Sequence, residues 1–234
     1  MSVIKRIQRI FKFRSDKSAF VKAGGVIAQI TPILSDYDKQ AGLAIGHYFH
    51  QDLLVASFIH QANPTRHIDV GSSIEGFVAH VASYRKIEVF DIRPLRVVGH
   101  DQFKFIQGNL MKLDDSLVEI CDSLSCLHAL EHFGLGRYGD PIDPDGHLKG
   151  FSNLHRMLKQ NGTLYISFPI GEAGVHFNAH RVFDPAEVIE WSRNKFSLLR
   201  FDYVDDEGDL HSNATLSSVP RLSYGCGIYT LKKI

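Results

Sequence analysis

Hydrophobic and polar positions divide the chain at about residue 65. Before it, apolar residues recur at helical spacing from Tyr37 to Gln61, until Asn63-Pro64 stops the run. After it, short apolar runs alternate with amphipathic stretches. They predict strands at 66–71, 86–91, 103–107 and 121–127, with a helix at 74–84 between the first two. A helix over about 147–159 and the breaker Asn161-Gly162 lead into a strand at 163–168. Beyond Asp184-Pro185, a helix to about Asn194 precedes strands at 196–204 and 223–231, joined by a polar loop. This alternation predicts an α/β domain: a mostly parallel sheet with helices on both faces, closed by an antiparallel last strand. Residues 1–65 are expected to form an N-terminal helical cap, and 66–234 one compact Rossmann-like domain.

Composition narrows the choice of partners. At 234 residues the chain can bury the core of one ordinary domain. Its 26 Lys and Arg balance 26 Asp and Glu, so no global field attracts nucleic acid. Cys121, Cys126 and Cys226 are too few and too irregular for a disulfide framework or a thiolate metal set, which fits a reducing compartment. Residues 1–14 lack the apolar run of a signal peptide and no later stretch could span a bilayer, so a cytoplasmic protein is expected. Within 1–14, Ile4, Ile7 and Phe11 share a helical face while Lys5, Arg6, Arg9 and Lys12 carry charge. Such a helix either packs as a cap or makes a weak, peripheral contact with an anionic membrane surface. Oligomeric state has no signal in the sequence.

Candidate chemistry begins at HIDVGSSIEG, residues 67–76, which sets a strand, a glycine turn and a helix start in the order that nucleotide-binding α/β folds use. Gly71 permits the sharp turn, Ser72 and Ser73 offer donors, and Gly76 permits close approach of helix and ligand. About 20 residues beyond Asp69, Asp91 ends the next strand, where a carboxylate can accept both hydroxyls of a ribose. A turn or cap carboxylate would look the same. Asn109, after Gly108 at the end of the third strand, is placed to address an adenine edge with its amide, or is a simple turn residue.

These segments resemble the class I S-adenosylmethionine-dependent methyltransferases over roughly 66–232. Asp69, Gly71, Ser73 and Gly76 match the family's acidic-x-Gly-x-Gly-x-Gly motif with serine at the middle glycine. Asp91 matches its second-strand acid, and Gly108-Asn109 its Gly-Asp pair with an amide for the carboxylate. CDSLSCLHALEH (121–132), which contains Leu127, resembles its fourth strand, and HRMLKQNGTLYISFP (155–169) its fifth. The resemblance implies S-adenosyl-L-methionine as cofactor, S-adenosyl-L-homocysteine as product, and cofactor contacts from Asp69, Gly71, Ser72, Ser73, Gly76, Asp91, Asn109 and Leu127. A nicotinamide-dependent Rossmann dehydrogenase is the competing dinucleotide reading. Such enzymes continue into further parallel strands or a second domain, whereas an antiparallel ending is methyltransferase-like.

An acceptor must sit beyond the carboxyl ends of the strands, at the loops after the fourth and fifth. The first of these holds His128, Glu131 and His132, then FGLGRYGDPIDPDGH. There Asp143-Pro144 reads as a cap and first helical position; the aspartates 140, 143 and 145 could alternatively hold a divalent cation, but the prolines between them fit a stiffened turn better and no metal is assigned. Arg137, Tyr138 and Asp140 are expected to recognise the acceptor, joined by His176 and Arg181 from the second loop, 170–185. His180 is the preferred general base because an imidazole titrates near working pH, with His128 and His132 as its rivals. LEHFGLGRYGDPIDPDG further resembles an uncharacterised methyltransferase-like family associated with bacterial surface polysaccharide synthesis, which implies O-methylation of a sugar or glycan hydroxyl. The alternative is a non-catalytic cofactor-binding or scaffold protein that keeps the fold.

Overall fold

The computed structural model describes residues 3–96 and 99–234 and separates into two compact units, one ending at Ala44 and one running from Ile45 to Ile234. In the first, helix α1 (Val3–Lys22) buries none of its residues, and Ile4, Ile7 and Phe11 all stand exposed. Met1 and Ser2 of the amphipathic segment lie outside the described residues. Among the described residues no helix is long and apolar enough to cross a membrane.

The helical run read over Tyr37–Gln61 does not form in one piece. Leu34–Asp38 is a single 3₁₀ turn, and the chain re-enters a helix only at α2 (His47–Ala62), after Gly42 and Gly46 at positive φ. Asn63 closes α2 in the left-handed conformation and returns its N–H to the Ile59 carbonyl, as the Asn63-Pro64 breaker predicts. The division between units therefore falls at 44/45 rather than 65/66. Packing explains the shift: Val55, Ala56 and Ile59 of α2 belong to the same buried cluster as Phe77, Val81, Ile87 and Val89.

The second unit continues with β1 (His67–Val70), a π-helical turn at Ile74–Val78, α3 (Ala79–Ala82), β2 (Ile87–Asp91), β3 (Phe103–Gln107) and β4 (Cys121–Leu127). Then come α4 (Gly146–Met157), β5 (Leu158–Ile170), a hairpin of β6 (Gly174–His176) and β7 (His180–Val182), and α5 (Glu187–Ser192). Strands β8 (Phe196–Val204), β9 (Leu210–His211) and β10 (Gly225–Lys233) finish the chain. The breaker Asn161-Gly162 lies inside β5 as an irregularity: β4 pairs Cys121 with Leu158 but Ser123 with Thr163, so the intervening residues bulge out.

The main sheet has the order β3-β2-β1-β4-β5-β10-β8-β9. Strands β1 to β5 pair in parallel, and β10 inserts antiparallel between β5 and β8. Strand order reverses between β1 and β4, which opens a crevice at their carboxyl ends. The two faces are unlike. One is largely apolar, with Leu164, Ile166 and Phe168 of β5 packed in a cluster with Phe151, Leu154 and Met157 of α4. Each such fully buried side chain contributes roughly 1.5–3 kcal/mol.

The other face, under α2 and α3, carries a buried polar row. Ser125 donates to Asp69 (2.6 Å), so its oxygen accepts from His67 Nε2 (3.1 Å), and His67 Nδ1 accepts from Ser123 (2.8 Å). Burial, then nearby Arg85, pushes the His67 pKa down to about 3, so the folded imidazole stays neutral. The unfolded chain takes up that proton near pH 6.5, so stability from His67 is complete above 6.5 and lost as pH falls toward 3. The expected slope is about 1.4 kcal/mol per pH unit. Asp69 works in the opposite direction, because burial raises its pKa to about 6. Denaturant titrations of the wild type and His67→Gln at pH 7 and pH 5 isolate the histidine: the wild type should lose more stability than the variant. Equal losses would show that His67 charges in the fold.

Candidate functional site

At the reversal of strand order lies a cavity of about 780 Å³, within the usual size of a small-molecule site. Its first wall is the turn after β1. Gly71 sits at φ +70°, and a Cβ there would stand 3.0 Å from Ala129 Cβ, so the sharp turn requires glycine. Ser72 and Ser73 line the cavity. Asp69 does not. Its carboxylate is fully buried and accepts from Ser72 N (3.1 Å), Ser72 Oγ (2.6 Å) and Ser125 Oγ, while Ser72 Oγ accepts from Leu127 N (3.0 Å). Asp69 thus shapes the turn and ties the tip of β1 to β4 instead of touching a ligand. Gly76 is also outside the lining: a Cβ there would meet Asp52 Oδ2 at 2.4 Å, so its close approach is to α2. Ser73, at the family's middle glycine, accepts from Gly76 N (3.1 Å) and caps the π-helical turn.

Asp91 reaches the cavity from the end of β2, as its spacing predicts. It is paired there with Arg93, which donates through its backbone N (2.8 Å), Nε (3.0 Å) and a terminal nitrogen (2.6 Å). The Arg93 guanidinium also lies 4.6 Å from the centre of the Tyr138 ring, with that of Arg137 at 5.1 Å. Asn109 and Leu127 line the cavity as well. The Asn109 side-chain oxygen accepts from Met111 N (2.9 Å), which leaves its amide hydrogens for a ligand.

The turn after β4 supplies His128, Glu131 and His132. Glu131 is almost wholly buried; it accepts from His128 Nδ1 (2.9 Å), and the same oxygen lies 3.6 Å from His132 Nε2. Burial opposes charge on His128, but the neighbouring Cys226 and Glu131 outweigh it and hold the pKa well above the usual value. His132 donates Nδ1–H to the Ala179 carbonyl (2.6 Å), and burial lowers its pKa. His180, on β7, lines the cavity half-buried, stacks on His176 (4.9 Å) and lies tilted against Tyr224 (5.2 Å). Partial burial and then His176 lower its pKa, so its neutral form dominates at pH 7.

Three residues expected to hold an acceptor have other partners or places. Arg181 is buried and donates to the carbonyls of Glu131, Phe133 and Pro144, stapling the hairpin to the loop after β4. The Asp140 carboxylate accepts from the backbone of Gly134, Gly136 and Tyr138, so it shapes that loop from the edge of the cavity. His176 is exposed and outside the lining. Arg137 and Tyr138 do line it, although Arg137 also donates to the Ala179 carbonyl (3.0 Å). The helix cap sits two residues later than Asp143-Pro144 implies: α4 starts at Gly146 with Asp145 as cap residue, while Asp143 accepts from Asp145 N (3.0 Å) and pairs with Lys149. Sequence reasoning missed Arg93, Tyr48 and Tyr224, which also line the cavity. Only Arg93 had a local signal, a base two residues after a strand-end acid.

Residues 104–210, a little under half of the chain, match the model of the DUF268 family, described as a Caenorhabditis protein of unknown function. No curated protein matches the sequence. Solved structures resemble it in fold at low identity. One is the 1,6-didemethyltoxoflavin-N1-methyltransferase of Burkholderia thailandensis, solved with 1,6-didemethyltoxoflavin and S-adenosylhomocysteine: TM-score 0.53, 14% identity, 100% of this chain and 91% of that one covered. Another is the N-methyltransferase NodS of Bradyrhizobium japonicum WM9 with S-adenosylhomocysteine: TM-score 0.52, 11% identity, 88% and 93% covered. A third, the (4+2)-cyclase SpnF, has TM-score 0.53 at 14% identity, with 78% and 81% covered. The parallel sheet with its antiparallel insertion and these neighbours agree: the chain has the α/β fold of the class I methyltransferases.

Proposed function

We propose that the protein binds S-adenosylmethionine in this cavity and transfers its methyl group to an acceptor hydroxyl, on a sugar or glycan. The observation that carries the reading is the Asp91 carboxylate at the end of β2, facing the same cavity as the Gly71–Ser73 turn. A ribose diol needs an acceptor pair at that point, and the residues present fit it. Asn109 can donate to an adenine ring nitrogen, a different contact from the one a carboxylate would make with the amino group. A cyclase shares the fold, so the reaction is argued from the site and not from the architecture.

When bound, the sulfonium would supply an electrophilic methyl group open to in-line attack by the acceptor oxygen, with S-adenosylhomocysteine as the leaving group. The chain's own residues then have three tasks. Ser72, Ser73 and Asp91 hold the cofactor; Arg137, Tyr138, Tyr48 and Tyr224 border the acceptor's place; His180, neutral at pH 7, takes the hydroxyl proton as the oxygen–carbon bond forms. His128 is less suited to that last task, since its Nδ1 is committed to Glu131 and its pKa is held high.

Calorimetry with S-adenosylmethionine, S-adenosylhomocysteine and NAD tests the first half. The two sulfur ligands should bind and NAD should not; NAD binding alone would overturn the assignment. Mass spectrometry of candidate glycans incubated with protein and cofactor tests the second, by a gain of about 14 daltons per methyl replacing hydrogen. Cofactor binding with no transfer to any glycan would favour the non-catalytic alternative.

A further inference from the structure

One group of side chains beside the cavity has no part in that reading. His47 opens α2, His128 follows β4, and Cys226 is the second residue of β10, and one ligand atom from each lies within 4.8 Å of the others. Among the described residues they form the one group of three His, Cys, Asp or Glu side chains close enough to share an ion. Cys226 is fully buried and in no disulfide. His128 is more than nine-tenths buried, and its Nε2 has no hydrogen-bond partner. An orphaned buried nitrogen costs roughly 1–3 kcal/mol, so it needs an explanation.

The other nitrogen of His128 supplies a second clue. Its Nδ1 donates to Glu131, itself almost wholly buried. With Glu131 keeping the Nδ1 proton, a metal ion that displaces the Nε2 proton meets a lone pair there, which is the outer-shell arrangement that orients metal-binding histidines. The backbone of His128 is held at φ +48°, unusual for a residue with a side chain, and its ring lies against that of His47 at the start of α2.

We propose that His47 and His128 nitrogens and the Cys226 thiolate bind one zinc ion, with Glu131 as the positioning residue behind His128. Two imidazoles and a thiolate suit zinc, and three protein ligands leave a fourth position for water. Of the three, His128 also lines the cavity, whereas His47 and Cys226 do not. Zinc–nitrogen bonds of about 2.0 Å and zinc–sulfur bonds of about 2.3 Å bring tetrahedral ligand atoms to roughly 3.5 Å apart, so the group must tighten by about 1 Å. His47 supplies the movement. It is only half-buried and stacks nearly parallel to His128 at 5.2 Å, so its ring turns to share the ion. The binding of this ion does not depend on methyl transfer.

The test uses the full chain, stripped with chelator and titrated with cobalt(II) as a spectroscopic substitute, then with zinc(II). Expected are one equivalent bound, visible bands of tetrahedral cobalt, a thiolate-to-cobalt band in the near ultraviolet, and displacement of all of these by zinc. Cys226→Ser should lose the thiolate band and His47→Gln should lose the visible bands, both with an unchanged far-ultraviolet dichroism spectrum. Glu131→Gln should weaken cobalt binding by about 10–100-fold while keeping the thiolate band. If Cys226→Ser does not fold, His47→Gln, which alters a half-exposed side chain, decides alone. No cobalt uptake by the wild type, or unchanged bands in His47→Gln, would overturn the site.

Discussion

Asp91→Ala is expected to bind S-adenosylmethionine at least a hundredfold more weakly than the wild type. Two ribose hydroxyls donating to one carboxylate are charge-assisted bonds of about 1.5–3 kcal/mol each, so losing both costs about 3–6 kcal/mol, or roughly a hundredfold to beyond ten-thousandfold. Asp91→Asn, which keeps one oxygen acceptor, should fall between the two. Calorimetry reads all three proteins, and an affinity for Asp91→Ala within a few-fold of the wild type would remove Asp91 from the cofactor.

His180→Ala is expected to lower turnover by roughly 10² to 10⁴ with cofactor affinity kept, the loss that follows removal of a general base. Its position supports a split of this kind, since His180 comes from the hairpin and Asp91 from the opposite half of the sheet. The pH profile adds a signature. Burial and His176 lower the His180 pKa, so the acid limb of kcat/KM should lie below 6.5. Near-normal turnover in His180→Ala, with loss in His132→Ala at intact cofactor binding, would move the base to the turn after β4.

Periodicity located the sheet well even where strands are only partly buried, as in β3 at the sheet edge and the first half of β8. The bounds read for β3, β4 and β8 agree with those observed. It failed where backbone conformation overrides pattern, as at Gly42 and Gly46, and where short strands carry no apolar run, as in the exposed β6. The site was legible as a set of loops but less so as a set of side chains. A motif says which residues stand near a strand end and not which way each one points. Asp69 and Arg181 both lie in the right segments, yet each satisfies buried backbone or hydroxyl groups. Cys226 and His47 lie far from His128 in sequence, so no local spacing could have grouped them.

The pairing of Arg93 with Asp91 also constrains the order of events at the cavity. Any diol that comes to Asp91 must evict a guanidinium already seated on both carboxylate oxygens. The evicted group is tethered two residues away and rests against Tyr138, a residue of the opposite loop. A ligand at Asp91 would therefore bear, through Arg93, on the Tyr138 ring of the loop after β4.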